Sequence, residues 1–501
     1  MKILIQKSAL GCMASLVLVI TGCKKQLDIN QDPNFPTYEQ GTPQIVFPAA
    51  VLGTIGETGG NLAIMGAMLS QFNTQASLAQ QYTDIDSYNL PPTDRFVTGP
   101  WTALFPNALK NYQYVIDKSA SEGDWIFYLM ATVMKAYTTQ VLVDCYDQIP
   151  FSEALQGTGN LKPKFDDGFT IYQSLLSEID TALAKDFSAG TNSSPGRQDM
   201  IFGGDLKSWV SFANTLKLKI YLRMVNKHPD VATAGVMSLL SSGVGFLTVS
   251  AQVNNFTDAP GLDNPNYEMN KRQLNTPNNI RASRTFVSWL QDNSDPRAIY
   301  YFQKLNSTSI NQGDFANNNP TYQTAPTFRN VDHTEATDPV DFISLAESFF
   351  LQAEADWRYN GGANVKSLYD QGVLAAFAAT GNDGSSFIAP GGRYEWGNEI
   401  EGGMALGPLE QIIRQKWASC ANACHGIESW FEKHRTGFPK TSPVYSDNQN
   451  YIPGQLVIVK NSVLPAGEMP NRVVFPNTET TVNPNSPQLV PITTPVWWAM
   501  P

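Results

Sequence analysis

Cysteines, histidines and paired carboxylates are the residues of this chain that could do chemistry, and their spacing narrows what that chemistry is. Cys420 and Cys424 are followed by His425 in WASCANACHG, a spacing that invites a metal ion. A zinc site needs about four ligands. The other histidines, His228, His333 and His434, are scattered, and no second cluster completes the set. The plainer reading is a turn between two helices, with small buried thiols or one local disulfide. With Cys12 and Cys23 set aside, Cys145, Cys420 and Cys424 allow at most one bridge within the chain. There is no His-Glu-x-x-His, Gly-x-Ser-x-Gly elbow, Walker loop or Gly-x-Gly-x-x-Gly after a strand. Glycoside hydrolysis needs only two carboxylates about 5–10 Å apart, but the 45 Asp and Glu residues single out no pair. No catalytic residue, metal site or cofactor is therefore expected. Calcium among the loop Asp and Asn residues is left open by composition, without an EF-hand-type loop to support it.

Cys23 stands apart because of what precedes it. Lys2 and Lys7 lead into an apolar and small-residue run from Ser8 to Ile20, too short for a bilayer span of roughly 20 residues. That layout is a secretory signal peptide, and Ile20-Thr21-Gly22-Cys23 looks like a bacterial lipobox. The expected processing removes residues 1–22 and places lipid on the Cys23 thiol. Buried acyl chains contribute about 0.8 kcal/mol per CH₂, so several on one residue hold a protein at a membrane. Residues 23–40, with the stretch LDINQDPNFPT, read as an extended lipidated tether, and residues 41–501 as one ligand-binding domain. Loss of Lys2 and Lys7 takes the net charge from −11 to −13. An acidic surface of this kind argues against nucleic-acid binding, which needs clustered Lys and Arg. No further apolar run is read as a membrane span.

The elements that must position any site are helical. DLKSWVSFANTLKLKIYLRMV follows Gly203-Gly204, with Asp205 as N-cap. Leu206, Trp209, Ala213, Leu216 and Ile220 form one stripe, with Lys207, Lys217 and Lys219 off it. WTALFPNALKNYQYVIDKS and DWIFYLMATVMKAYTTQVLVDCY read as an adjacent helix pair, the second apolar nearly all round and hence buried. Ile171, Leu175, Ile179 and Leu183 recur every four residues in the next helix. SLAESFFLQAEADWRYNGGANVKSLYDQGVLAAFAAT reads as helix, Gly-Gly turn, helix, with small residues facing large ones as in tetratricopeptide-type repeats. Long irregular stretches at 245–280, 303–340, 381–405 and 437–501 carry Tyr267, Phe315, Tyr322, Tyr394, Trp396 and Tyr445. Loops of that length in a compact domain are usually functional or disordered. The fold class is all-α: tetratricopeptide-like helix pairs with long irregular loops and minor β-hairpins.

These pieces, in order, resemble the SusD/RagB family of outer-membrane nutrient-binding lipoproteins of Bacteroidetes, in its second SusD-like branch. The resemblance is carried by the lipobox, LDINQDPNFPT, LVDCYDQIPFSEAL, KPKFDDGFTIYQSLLSEIDTAL, DMIFGGDLKSWVSFANTLKLKIYLRM, SDPRAIYYF, LAESFFLQAEADWR, IIRQKWASCANACHGIESWFEKHRTGFP, MPNRVVFPNTE and TTPVWWAMP. It implies a protein outside the outer membrane that binds oligosaccharides or peptides. Such proteins deliver their cargo to a SusC-like TonB-dependent transporter, and their activity is binding rather than bond cleavage. The chain departs from the family's D.fGdiP at Cys145 and Gln148, and has His434-Arg435 where paired arginines are common. Lys24-Lys25 also stand where exported family members carry acidic residues, so these residues do not themselves choose a membrane face. Two other classes stay open: a surface glycan-degrading enzyme, and a helical-repeat scaffold for outer-membrane assembly.

A sugar offers apolar C–H faces that stack on aromatic rings and hydroxyls that need polar side chains, and such groups belong on loops held by a rigid scaffold. The leading candidates are Tyr394 and Trp396, flanked by Arg393 and Asn398 in GGRYEWGNE. Next come Tyr82, Tyr88 and Phe96 in QQYTDIDSYNLPPTDRF, then Tyr267. Trp209, Asn214, Asp295, Arg297, Glu354, Trp417, Trp430 and Arg435 read instead as packing and buried pairing.

Overall fold

A computed structural model describes residues 41–274, 278–302, 308–323, 325–326 and 334–500. Cys23, the signal peptide and His333 lie outside the described residues. The scaffold is built from α1 (Pro43–Thr58), α2 (Asn61–Leu69), α3 (Lys110–Glu122), α4 (Trp125–Tyr146), α5 (Gly168–Leu183) and α6 (Leu206–Arg223). It continues with α7 (Leu345–Tyr359), α8 (Val365–Ala378), α9 (Pro408–Ser419) and α10 (Gly426–Thr436). Consecutive helices pack as pairs, α3 with α4, α5 with α6, α7 with α8 and α9 with α10.

Local chemistry sets the boundaries. The carboxylates of Asp124, Asp167 and Asp205 accept from backbone N–H groups in the first turns of α4, α5 and α6. Ser344 does the same for α7, accepting from Glu347 N–H at 3.0 Å. Gly123, at φ 74°, ends α3 and frees the chain to turn into α4. Gly361 and Gly362, both left-handed, make the turn between α7 and α8. α4 is long and apolar enough to cross a membrane, but 89% of its apolar window is buried inside the protein, so it is a core helix.

Among the described residues, four two-stranded antiparallel ribbons tie loops to this scaffold. They pair β1 (Asn73–Gln75) with β5 (Ile280–Ala282), β2 (Gln148–Pro150) with β3 (Phe165–Asp167), β4 (Ala251–Val253) with β6 (Val340–Ile343), and β7 (Ile400–Glu401) with β8 (Met404–Ala405). One apolar core lies among α1 to α6 and takes in Phe475 and Trp498 of the C-terminal segment. A second lies among Arg284–Asp292, α7, α8 and α9 around Trp289 and Trp417.

Where α4, α6, α7, α9 and α10 meet, the interior is charged. Arg223 reaches Asp144 at 3.2 Å, Glu428 at 2.8 Å and Glu432 at 2.6 Å. Lys219 joins Glu347 at 3.1 Å and Glu428 at 2.8 Å. Lys416 lies 3.0 Å from Glu428, and Arg435 lies 2.5 Å from both Glu354 and Glu432. All of these groups are buried. Burial alone would raise the Glu428 and Glu432 carboxyls, but the surrounding cations outweigh it and bring both down to about 2. The expected pairings at Glu354, Arg435 and Asp295–Arg297 are present. Lys217 and Lys219, set off the apolar stripe by sequence, are buried as well; each takes a carboxylate partner, Lys217 with Asp180 and Lys219 in the charged seam. Cys145, Cys420 and Cys424 are free thiols.

Candidate functional site

The structure separates the sequence-derived candidates by burial. Tyr394 has no exposed surface. Its ring stacks on Trp289 at 5.5 Å, and its hydroxyl donates to Asp295 at 2.7 Å, on the carboxylate that also pairs with Arg297. It is a core residue and offers no ring to a ligand. Trp396 is half-buried and tilts against Tyr369 at 5.0 Å, leaving Arg393 and Asn398 exposed beside it.

The second group fails for the same reason. Tyr82, Tyr88 and Phe96 are 1%, 2% and 3% exposed. Tyr82 and Phe96 meet edge to face at 6.2 Å, and Arg95 covers the Phe96 ring at 4.6 Å. Their loop folds back over them, which removes the apolar rings from water. The Tyr82 hydroxyl donates to Asn270 at 2.9 Å and so ties this loop to that of Tyr267. Tyr267 is half-buried and lines a small polar cleft of about 80 Å³, with Asn73, Asn264, Asn270 and the Lys271–Glu335 ion pair. Among the described residues no group of His, Cys, Asp or Glu side chains is arranged to hold a metal ion.

The best-built surface lies at loops the sequence reading listed without ranking. Its foundation is Asp86, 1% exposed. The carboxylate accepts from Thr74 Oγ1 at 2.7 Å, Gln75 N–H at 2.9 Å and Gln312 Nε2 at 2.6 Å. Burial raises its pKa to about 6, against the lowering effect of those donors. The segments that meet there carry further ties. Leu78 N–H donates to Phe315 C=O at 3.0 Å, and Ser77 Oγ to Asn317 C=O. The Tyr445 hydroxyl donates to Gln312 C=O at 2.7 Å, and Asn461 Nδ2 to Gly313 C=O at 2.7 Å. Tyr322 and Lys460 both reach Asp314 Oδ2, at 3.1 and 3.5 Å.

On this base stand the half-buried rings of Phe315 and Tyr445, with Lys460 5.7 Å over the Tyr445 ring and Leu78 60% exposed. Gln80, Gln81, Asn318, Asn319 and Asp447 are exposed around them. Gln80, Gln81, Leu274 and Asn279 also line an open groove of about 510 Å³. The surface therefore offers partly exposed ring faces, amide and carboxylate partners, and loops braced against a buried carboxylate. The available sequence signal was the loop QKLNSTSINQGDFANNNPTYQTAPT, rich in amides around Phe315. The Asp86–Gln312 contact that ranks it spans more than 200 residues.

The described residues thus combine paired helices with a loop-built surface braced on Asp86. Residues 38–457 match the SusD-like family model described as starch-binding, associating with the outer membrane. The chain belongs to that family.

Solved structures share the fold. A SusD homologue from Bacteroides uniformis superposes with a TM-score of 0.69 at 20% identity, over 91% of this chain and 99% of that one. A chitin-binding SusD homologue from Flavobacterium johnsoniae gives 0.69 at 21% identity, over 90% and 98%. A SusD/RagB family protein from Bacteroides thetaiotaomicron gives 0.67 at 18% identity, over 91% and 99%. Among curated proteins no sequence matches.

Proposed function

We propose that this protein is an outer-membrane lipoprotein, anchored through Cys23, that holds glycan on the Asp86-based loop face and delivers it to a SusC-like TonB-dependent transporter. The observation that carries the reading is the loop face itself, where Phe315 and Tyr445 are tied by hydrogen bonds beside exposed amide side chains. Fixed groups bind with less ordering cost. The family description and the chitin-binding homologue support a polysaccharide fragment as the ligand.

Titration calorimetry of the purified protein against starch- and chitin-derived oligosaccharides tests this. A Phe315→Ala, Tyr445→Ala double variant is expected to bind about tenfold more weakly, the loss of about 1.4 kcal/mol, while keeping its thermal stability within a few degrees. Equal affinity in the double variant moves the site elsewhere. Peptide binding without glycan binding changes the ligand class, and glycan turnover by the purified protein makes it an enzyme. Co-purification with a large β-barrel protein tests the transporter step.

A further inference from the structure

A pocket of about 390 Å³ opens on the helical scaffold and shares no residue with the loop face. Its size falls in the range of small-molecule sites. One wall is aromatic: Phe169 and His228 stack with ring centroids 3.5 Å apart. Trp497 stands at 62° to Phe169 and 54° to His228, 5.8 Å from each.

This wall is held in place by the end of α4 and the start of α5. Asp147 has φ 76°, the left-handed region that favours glycine. Its carboxylate accepts from the Trp497 backbone N–H at 2.6 Å, and Arg472 lies 3.4 Å from the other oxygen. Gly168 leaves room for the indole, because a Cβ there would lie 2.0 Å from Trp497 Nε1. Asp167, Gln148 and Lys227 line the same pocket, the Asp167 carboxylate also capping α5 at Thr170.

We propose that this pocket is a second saccharide site, taking one residue of a neutral glycan. The ring faces suit the C–H face of a pyranose. Hydroxyls both donate and accept, and the rim supplies both kinds of partner: Asp167 accepts, Lys227 donates and Gln148 does either. Lys227 on the rim opposes a cationic amine, the other class that an aromatic wall with carboxylates attracts. The site is independent of the loop face, and a lipoprotein with two such sites engages a long chain at two points.

The test uses the full-length protein in detergent micelles, labelled with 5-fluorotryptophan and followed by fluorine NMR. Trp497→Phe identifies the Trp497 resonance by its loss, and Gly168→Ala identifies it independently by displacing the indole. Probes are maltotriose, triacetylchitotriose, xylotriose and mannotriose, with choline as the amine control. The expected result is a saturable shift of the Trp497 resonance with at least one saccharide. That shift persists in the Phe315→Ala, Tyr445→Ala variant and needs about tenfold more saccharide in Gln148→Ala or Lys227→Ala. A Trp497 resonance unmoved by every saccharide overturns the proposal, and so does a shift with choline alone. A shift abolished by the loop-face variant also overturns it, since Trp497 would then report the other site. Loss of all loop-face binding with the Trp497 shift retained instead leaves this site standing and removes the first.

Discussion

Glu428 in the scaffold and Asp86 beneath the loop face are both buried carboxylates, yet their surroundings differ in kind. Glu428 lies among Arg223, Lys219 and Lys416, whereas Asp86 is held by a hydroxyl, a backbone N–H and an amide. Full charges outweigh the desolvation of Glu428 and bring it to about 2, while neutral donors leave Asp86 at about 6. The scaffold uses ion pairs to fix the approach of helices drawn from distant parts of the chain. The loop face takes its order at Asp86 from neutral donors, and its Lys460–Asp314 contact has the lysine 46% exposed to water.

The sharpest way to break that comparison is to remove one partner from each region. Arg223→Met leaves the buried Asp144 without its cationic partner and takes one cation from Glu428 and Glu432, and denaturant unfolding should show a loss of about 3–5 kcal/mol. A loss under about 1 kcal/mol would mean that water reaches the seam. Asp86→Ala leaves three donors without their acceptor, and a smaller loss of about 2–3 kcal/mol is expected. Its glycan affinity should fall as well, because the loop face loses its brace; unchanged affinity would separate Asp86 from the site.

The pH profile sharpens the contrast more gently. Glu428 and Glu432 sit near 2 against an ordinary value of 4.5, so their stabilisation is complete above about 4.5 and is lost as pH falls through about 2. Asp86 and Asp144 are raised to about 6, and Asp341 and Glu399 to about 7, mainly by burial. Groups raised in this way favour the folded state at low pH; their contribution is complete below about 4 and is lost as pH rises from there through about 6 to 7. Thermal melts should therefore peak in acidic buffer near about pH 4. A melting temperature that climbs steadily to neutrality would contradict this balance. Smallest is Tyr394→Phe, which removes one hydroxyl from Asp295. It should cost about 1 kcal/mol of stability and leave calorimetric glycan affinity unchanged.

Much of the scaffold was legible because its signals are local. Asp205 caps the helix it was read to cap, and Gly361-Gly362 turns where the pattern broke. Asp295 and Arg297, only two residues apart, read as a pair in the sequence and do pair. Lys219 was misplaced because a lysine off an apolar stripe looks solvated until Glu347 and Glu428, from two other helices, surround it. Tyr394 and Tyr82 were misjudged in the opposite direction. Aromatic residues in irregular segments suggest exposed rings, but whether a loop roofs its own rings depends on contacts such as Tyr394 with Trp289, 105 positions apart. Phe315 and Tyr445 acquire meaning only when Gln312 and Asp86 are known to touch.

The last residues of the chain bear on how it folds. Trp498 is fully buried in the core of the first helices, under the Arg223 guanidinium at 5.1 Å, and Met500 N–H donates to His434 C=O at 3.0 Å. A core that joins Trp498 to the first helices closes through contacts of long sequence separation, which are slow to form. Val496, Trp498 and Ala499 are part of that core rather than a surface tail laid over it.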